Sequence, residues 1–352
     1  MKLFDCPHCS NRLYFENAQC LKCGNFVVYE PVESSFVLSD TENVFLCTNA
    51  AACGCNWRAE QKSTFCLACS LNKIIPDLSV DGNRDRWADV ERAKKRAVYS
   101  LLALKLPVRP KRDDQDEGGL AFDFLADPIG VSVSGEHVLT GHDNGLITLN
   151  VAEANPAERE QRRMQMGETY RTLLGHFRHE LGHYYWDLLI RDNPAELDSY
   201  RTEFGDERTD YEQALQTYYT QGAPVDWQTS HITPYATSHP WEDWAESWAH
   251  YLHITDTLEM VDALDLPLGK LDIPESATVT DDRSRTLIQR DDPRTFTFDE
   301  ILARWLILSE ATNCINRCMG LPDLYPFVIS EMTSGKLRFI HDLIGRQAKA
   351  AL

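Results

Sequence analysis

Two histidines four residues apart with a glutamate between them, His179-Glu180-Leu181-Gly182-His183, are the strongest chemical signal in the chain. On a helix, positions i and i+4 share a face, so both imidazoles can hold one zinc ion with Glu180 beside its water. Zinc lowers the pKa of such a water and polarises a carbonyl, and Glu180 can take the proton and pass it to a leaving amine. The pattern predicts peptide-bond hydrolysis, with His179 and His183 as metal ligands and Glu180 as general base.

A catalytic zinc needs a third protein ligand and one open position. The extended motif with a third histidine would require glycine at position 186 and histidine at position 189, where the chain has Trp186 and Leu189. A carboxylate on a later helix is expected instead, and residues 238–253 supply the segment. Ser238 or His239 can cap this helix and Pro240 suits its first turn. Trp241, Trp244, Ala245, Trp248 and Leu252 make its buried stripe. Glu242 and Glu246 lie along the edge of that stripe, where a carboxylate is costly unless it binds metal or is hydrogen-bonded. One of them is expected to bind zinc, and the other to support a ligand histidine. The tetrahedral oxyanion needs another donor, for which Tyr235, His250, Tyr251 and His253 are candidates. His176, one turn before His179, reads as a supporting or packing residue.

Nine of the eleven cysteines precede residue 70. Cys6-Pro7-His8-Cys9 and Cys20-Leu21-Lys22-Cys23-Gly24 are two short knuckles, the pattern of a zinc ribbon in which Cys6, Cys9, Cys20 and Cys23 close a tetrahedral structural site. Cys47, Cys53, Cys55, Cys66 and Cys69 follow, five thiols for four positions. Cys47, Cys55, Cys66 and Cys69 are the expected ligands, with Cys53 the spare, because Cys53 and Cys55 would crowd one tetrahedron. So small a module draws folding energy from its metal. Cys314 and Cys318, four apart in a helical pattern, read as buried core thiols.

These groups need elements to position them. Asp81 to Leu106 has helical periodicity and carries a locally basic stripe, read as a solvated face balanced by acidic neighbours. The run 113–119 reads as an exposed acidic loop. Strand signals at 129–133, 136–140 and 146–151, with a turn at Asp143-Asn144-Gly145, predict a small sheet just before the motif, whose edge can pair with an extended substrate. Asn155-Pro156 starts a helix, and Met166, Tyr170, Leu173, Leu174, Phe177, Leu181, Tyr184 and Leu188 keep its period across the motif. After residue 300 the pattern is largely helical. The expected fold class is α+β, organised as a ribbon over 1–30, a second cysteine-rich segment over 31–80, and a peptidase body over 81–352.

Composition narrows the alternatives. A chain of 352 residues buries a full core, and a net charge of −19 disfavours a nucleic-acid or acidic-membrane binder, either of which needs a basic face. No stretch of eighteen apolar residues is present, so no spanning helix is expected. The N-terminal residues enter the cysteine motifs without an apolar signal region, which points to the cytoplasm, where paired cysteines hold metal rather than form disulfides.

The chain resembles the bacterial zinc-binding metallopeptidases that carry an N-terminal zinc-ribbon domain. The resemblance rests on Cys6-Pro7-His8-Cys9, on Cys55-Asn56-Trp57, on the stretch from Gly167 to Trp186, and on His239-Pro240-Trp241-Glu242-Asp243-Trp244-Ala245-Glu246. It covers nearly the whole chain and implies a zincin-like fold with the metal on His179 and His183 and Glu180 catalytic. Glutamate zincins often present their ligand as Glu-x-x-Ala before an acidic or amide residue. Glu242-Asp243-Trp244-Ala245-Glu246 fits, which places zinc on Glu242 and the supporting role on Glu246. Cys53 beside Cys55 is the one departure. The reading is an active peptidase with one catalytic and two structural zinc ions, a peptide or protein substrate, and a protein partner for the ribbons. Its rival is a zinc-ribbon adaptor on a non-catalytic scaffold.

Overall fold

The alternating stretch Leu146-Ile147-Thr148-Leu149-Asn150 forms a strand, flanked in its sheet by its own hairpin partner and by a parallel strand from earlier in the chain. The structure, a computed structural model, describes residues 2–127, 138, 140–165, 171–268 and 296–350. It is mixed α/β and divides into two compact units, residues 3–202 and residues 203–350.

The first unit begins with short hairpins, β1 (Phe4–Asp5) with β2 (Arg12–Leu13) and β3 (Val27–Glu30) with β4 (Ser35–Leu38). Then come β5 (Phe45–Leu46), α1 (Ala50–Cys53), β6 (Arg58–Ala59), which pairs with β5, and α2 (Leu67–Ser70). Phe4, Phe15, Tyr29, Phe36 and Trp57 form an aromatic cluster, with Tyr29 to Trp57 at 5.1 Å between ring centroids. So few apolar groups cannot sustain a fold of this length alone, which fits a need for metal.

A four-stranded sheet follows, in the order β7 (Asn72–Ile74), β8 (Ala121–Leu125), β10 (Leu146–Asn150), β9 (Gly141–Asp143). β8 is parallel to β7 and β10, with Leu146 opposite Ala121 and Asn150 opposite Leu125. β9 runs antiparallel to β10 and, among the described residues, lies at the sheet's edge. Their hairpin turns on Asn144 and Gly145, whose φ of 44° and 77° suit a turn matching the strand twist. Gly145 also has no room for a side chain, since a Cβ there would stand 2.1 Å from the Gly119 carbonyl oxygen. The expected strand at 129–133 and most of that at 136–140 lie outside the described residues.

The long helix α3 (Asn83–Ala103) buries Trp87, Val90, Ala97 and Leu101. Acidic neighbours balance part of its basic stripe, Arg92 pairing with Asp89, Lys94 with Glu91 and Arg96 with Glu16, but the face is not fully solvated as expected, because Lys94 and Lys95 are buried. Asp116 does not simply hang in an acidic loop, because Arg109 grips both its carboxylate oxygens at 2.5 and 2.6 Å.

A 3-10 turn (Val151–Ala154) leads to α4 (Pro156–Gln165), and α5 (Leu173–Trp186) carries the histidine motif. The expected single helix through the motif is therefore broken. Thr172 takes an extended conformation (φ −135°, ψ 155°), and its hydroxyl accepts from the Gly175 amide at 3.0 Å. A β-branched threonine is better suited to that cap than to a helix interior, so α5 starts afresh at Leu173, six residues before His179. A π-helical segment (Asp187–Arg191) and α6 (Pro194–Phe204) follow.

The second unit is helical: α7 (Tyr211–Gln221), α8 (Pro240–Ala263), α9 (Phe298–Cys318) and α10 (Glu331–Ala350). His239 caps α8, its ring nitrogen Nδ1 accepting from the Trp241 amide at 3.1 Å. Trp244, Trp248 and Leu252 are fully buried, and Trp244 meets Phe339 of α10 at 6.1 Å. Thr297 and Glu300 cap α9 reciprocally. The helical C-terminal portion is thus as expected, but Cys314 and Cys318 are exposed rather than buried. The apolar stripe of α9 is buried at Ile301, Trp305 and Leu308, and the last turns of the helix run on into solvent, taking both thiols with them.

Candidate metal centre

α5 is held by its apolar face. Phe177 and Leu181 are fully buried, and Phe177 lies 5.6 and 6.1 Å from the rings of Phe122 and Phe124 on β8. Two tyrosines fix its C-terminal end against loops: Tyr184 donates to the Gly118 carbonyl at 3.1 Å and Tyr185 to that of Pro107 at 2.9 Å. His179 and His183 lie off this face, with ring centroids 4.9 Å apart. Two imidazoles on one tetrahedral ion would have centroids about 5 Å apart, so the pair fits a shared zinc. Glu180, between them, is largely buried.

A residue that sequence reasoning missed stands beside His183. His142 of β9 is buried, its ring 6.3 Å from that of His183 and nearly parallel to it. Its Nε2 accepts from the Gly145 amide at 2.9 Å, so Nδ1 carries the proton and the ring is neutral. Burial, and then His183, pull its pKa down to about 3. Only the hairpin turn beside it in sequence hinted at its place.

The two cysteine clusters assemble within the same unit. Cys6, Cys9, Cys20 and Cys23 gather, with Cys6–Cys23 and Cys9–Cys20 sulfur separations of 3.7 Å. Cys47, Cys55, Cys66 and Cys69 form the second group, with Cys55 3.6 Å from Cys66 and 3.7 Å from Cys69. Zinc–sulfur bonds of about 2.3 Å in a tetrahedron put sulfurs about 3.8 Å apart, so both sets fit zinc. Cys53 is absent from the second group, and its thiol donates to the Asn49 carbonyl at 3.4 Å.

In the second unit, Glu242 and Asp243 on α8 are each about 1% exposed, whereas Glu246 is half-buried. The Tyr211 hydroxyl donates to Glu242 at 2.5 Å, and the Thr233 hydroxyl to Glu246 at 2.7 Å. Tyr211 opens α7, far from α8 in sequence, and no motif marks it. Of the four candidate oxyanion donors, three are engaged with later segments. His250 hydrogen-bonds Tyr325 at 2.8 Å, Tyr251 hydrogen-bonds His341 at 2.9 Å, and His253 stacks on Tyr325. Tyr235, edge-on to the ring of Tyr218 at 5.7 Å, lies near Glu242, and burial, with the Glu242 charge, pushes its hydroxyl pKa far up.

The profile of a family described as "Putative zinc-binding metallo-peptidase" matches residues 83–343, and that of a zinc-ribbon domain matches residues 3–80. The chain belongs to this metallopeptidase family. Among its relatives are uncharacterized proteins of Mycobacterium tuberculosis strain H37Rv and of Mycobacterium bovis. Each is 40% identical over 351 residues, covering 99% of this chain and 96% of the relative. No solved structure matches the chain. Family membership assigns zinc and peptidase character to the chain, and no helix among the described residues is long and apolar enough to cross a membrane.

Proposed function

We propose that the protein is a zinc-dependent peptidase of zincin-like fold, with His179, His183 and Glu242 as the ligands of the catalytic ion and Glu180 as general base. The observation that carries this reading is the imidazole pair of α5, with ring centroids 4.9 Å apart, off the face that packs on Phe122 and Phe124. The choice of Glu242 over Glu246 rests on its order in the Glu-x-x-Ala segment and on its near-complete burial, which an ionised carboxylate tolerates only when it is well partnered. Tyr211 holds one of its oxygens. Glu246 takes the supporting role toward a ligand histidine.

Zinc in this site would lower the pKa of a water and polarise the scissile carbonyl. Glu180 takes the proton of the attacking water and delivers it to the leaving amine. Neutral His142, stacked near His183, keeps a positive charge away from that ligand. Tyr235 is the donor best placed in sequence and burial to meet a developing oxyanion. The peptide lies along β9, the edge strand among the described residues, which packs on α5.

The two cysteine groups each hold a structural zinc. The chain is then arranged as a ribbon over 1–30, a second zinc-binding segment over 31–80 and a peptidase body from 81 onward. The ribbons recruit a protein partner, and a reducing compartment such as the cytoplasm keeps the thiols available. The test is a proteome-wide cleavage profile of wild type against Glu180→Gln. Cleavages that vanish in the variant support the peptidase, whereas identical profiles with partner binding retained would leave the adaptor reading in its place.

A further inference from the structure

Glu153 sits in the 3-10 turn between β10 and α4, about 1% exposed, and gathers groups from three directions. His176 Nδ1 stands 2.5 Å from its Oε2. Arg171 and Arg162 reach its Oε1 at 3.4 and 3.7 Å, and the Thr140 hydroxyl donates to the same oxygen at 2.9 Å. Burial alone would raise this carboxyl, but His176 and Arg171 outweigh it and hold the pKa at about 2.

The partners matter more than the charge. Thr140 immediately precedes β9, and His176 lies in the first turn of α5. One buried carboxylate therefore ties the start of the edge strand to the start of the helix that carries the histidine motif. Along α5, residue 176 precedes 179, 180 and 183 by three, four and seven places, so His176 shares their face, one turn nearer the N-terminus. Its Nδ1 is committed to Glu153, and its side chain is still 19% exposed, which leaves Nε2 as the polar atom offered to that face. A histidine used only for packing would not require a buried carboxylate on one nitrogen.

We propose that His176, oriented by Glu153, positions the substrate: its Nε2 hydrogen-bonds a main-chain amide group of a peptide laid along β9. The separation of one helical turn, about 5.4 Å, corresponds to between one and two strand residues from the bond to be cut. This inference rests on the peptidase reading of the site. His176 acts on the extended chain beside the reacting groups, so it contributes to binding rather than to the chemical step.

The experiment uses the full-length zinc-loaded protein and quenched-fluorescent casein peptides, shortened residue by residue from each end. His176→Gln is expected to raise KM about tenfold on the long peptides with kcat and zinc content unchanged, the signature of one lost hydrogen bond. The effect should vanish on peptides too short to reach. A second readout needs no turnover: in a Glu180→Gln background, calorimetry should show the Kd of the long peptide weakened by about the same factor. Unchanged KM and Kd, or a fall in kcat or zinc content at constant KM, would overturn the assignment. Glu153→Gln should move KM in the same direction. If that buried substitution unfolds the protein, His176→Gln carries the test alone. Failure of wild type to cut any casein peptide sinks the peptidase reading and this inference with it. Cleavage by wild type that His176→Gln leaves unaltered sinks the inference alone.

Discussion

Lys336 of α10 places its Nζ 2.6 Å from Asp243 Oδ2 on α8, and neither residue reaches solvent to more than a few per cent. Lys336 also donates to the Ser230 carbonyl. Burial pushes Asp243 up to about 7 even though Lys336 pulls it down, so the carboxylate depends on its lysine. Removing one member of such a pair leaves a buried charge with no counterpart. Lys336→Met should destabilise the fold by about 3–5 kcal/mol in urea unfolding, and adding Asp243→Asn should recover most of the loss. A single-variant cost below about 1 kcal/mol would mean that the pair does not hold α8 to α10.

Glu242→Ala should lose the catalytic zinc more completely than Glu246→Ala, because removal of a ligand outweighs removal of a group that orients one. Metal analysis after equal dialysis reads this directly. The reverse order would exchange the two roles.

Reconstituted protein should carry three zinc ions, and mild chelation should release only the one on α5, since four-thiolate sites are closed. Cys53→Ser should leave the count unchanged, whereas Cys47→Ser should lower it by one. Two or fewer ions in the wild-type protein would contradict these ligand sets.

Glu153 gives the fold a pH dependence of defined sign. Its carboxyl pKa falls from an ordinary 4.5 to about 2, so its contribution is present above pH 4.5 and is lost as the pH drops toward 2. That displacement is worth about 3 kcal/mol. Thermal unfolding of wild type and Glu153→Gln should differ clearly at neutral pH and converge in acid. A constant gap across that range would count against the ion pair.

What the sequence made legible was local. The spacing of the cysteines and of His179 and His183 follows from helix and knuckle geometry, so both cysteine groups and the imidazole pair are where spacing put them. The break at Thr172 was hidden because apolar periodicity alone cannot register a cap. β7 and β8 were missed for another reason: Asn72–Ile74 is too short to alternate, and Ala121–Leu125 is buried over most of its length with Asp123 as its one polar residue, too weak an alternation to mark it. His142, Glu153 and Tyr211 lie far in sequence from the groups they touch. No spacing rule reaches across such gaps.

The second cysteine group shares its foundations with the sheet under α5. Glu91 lies 3.8 Å from Cys69 Sγ and also binds Asn72 of β7 and the wholly buried Lys94, whose Nζ stands 5.6 and 5.5 Å over the rings of Phe122 and Phe124. A chain begun at residue 81 would lack β7, strip Glu91 of Asn72, and open the flank of the sheet on which Phe177 rests. The body from residue 81 onward therefore cannot be separated from the residues before it without uncovering the sheet beneath its histidine helix.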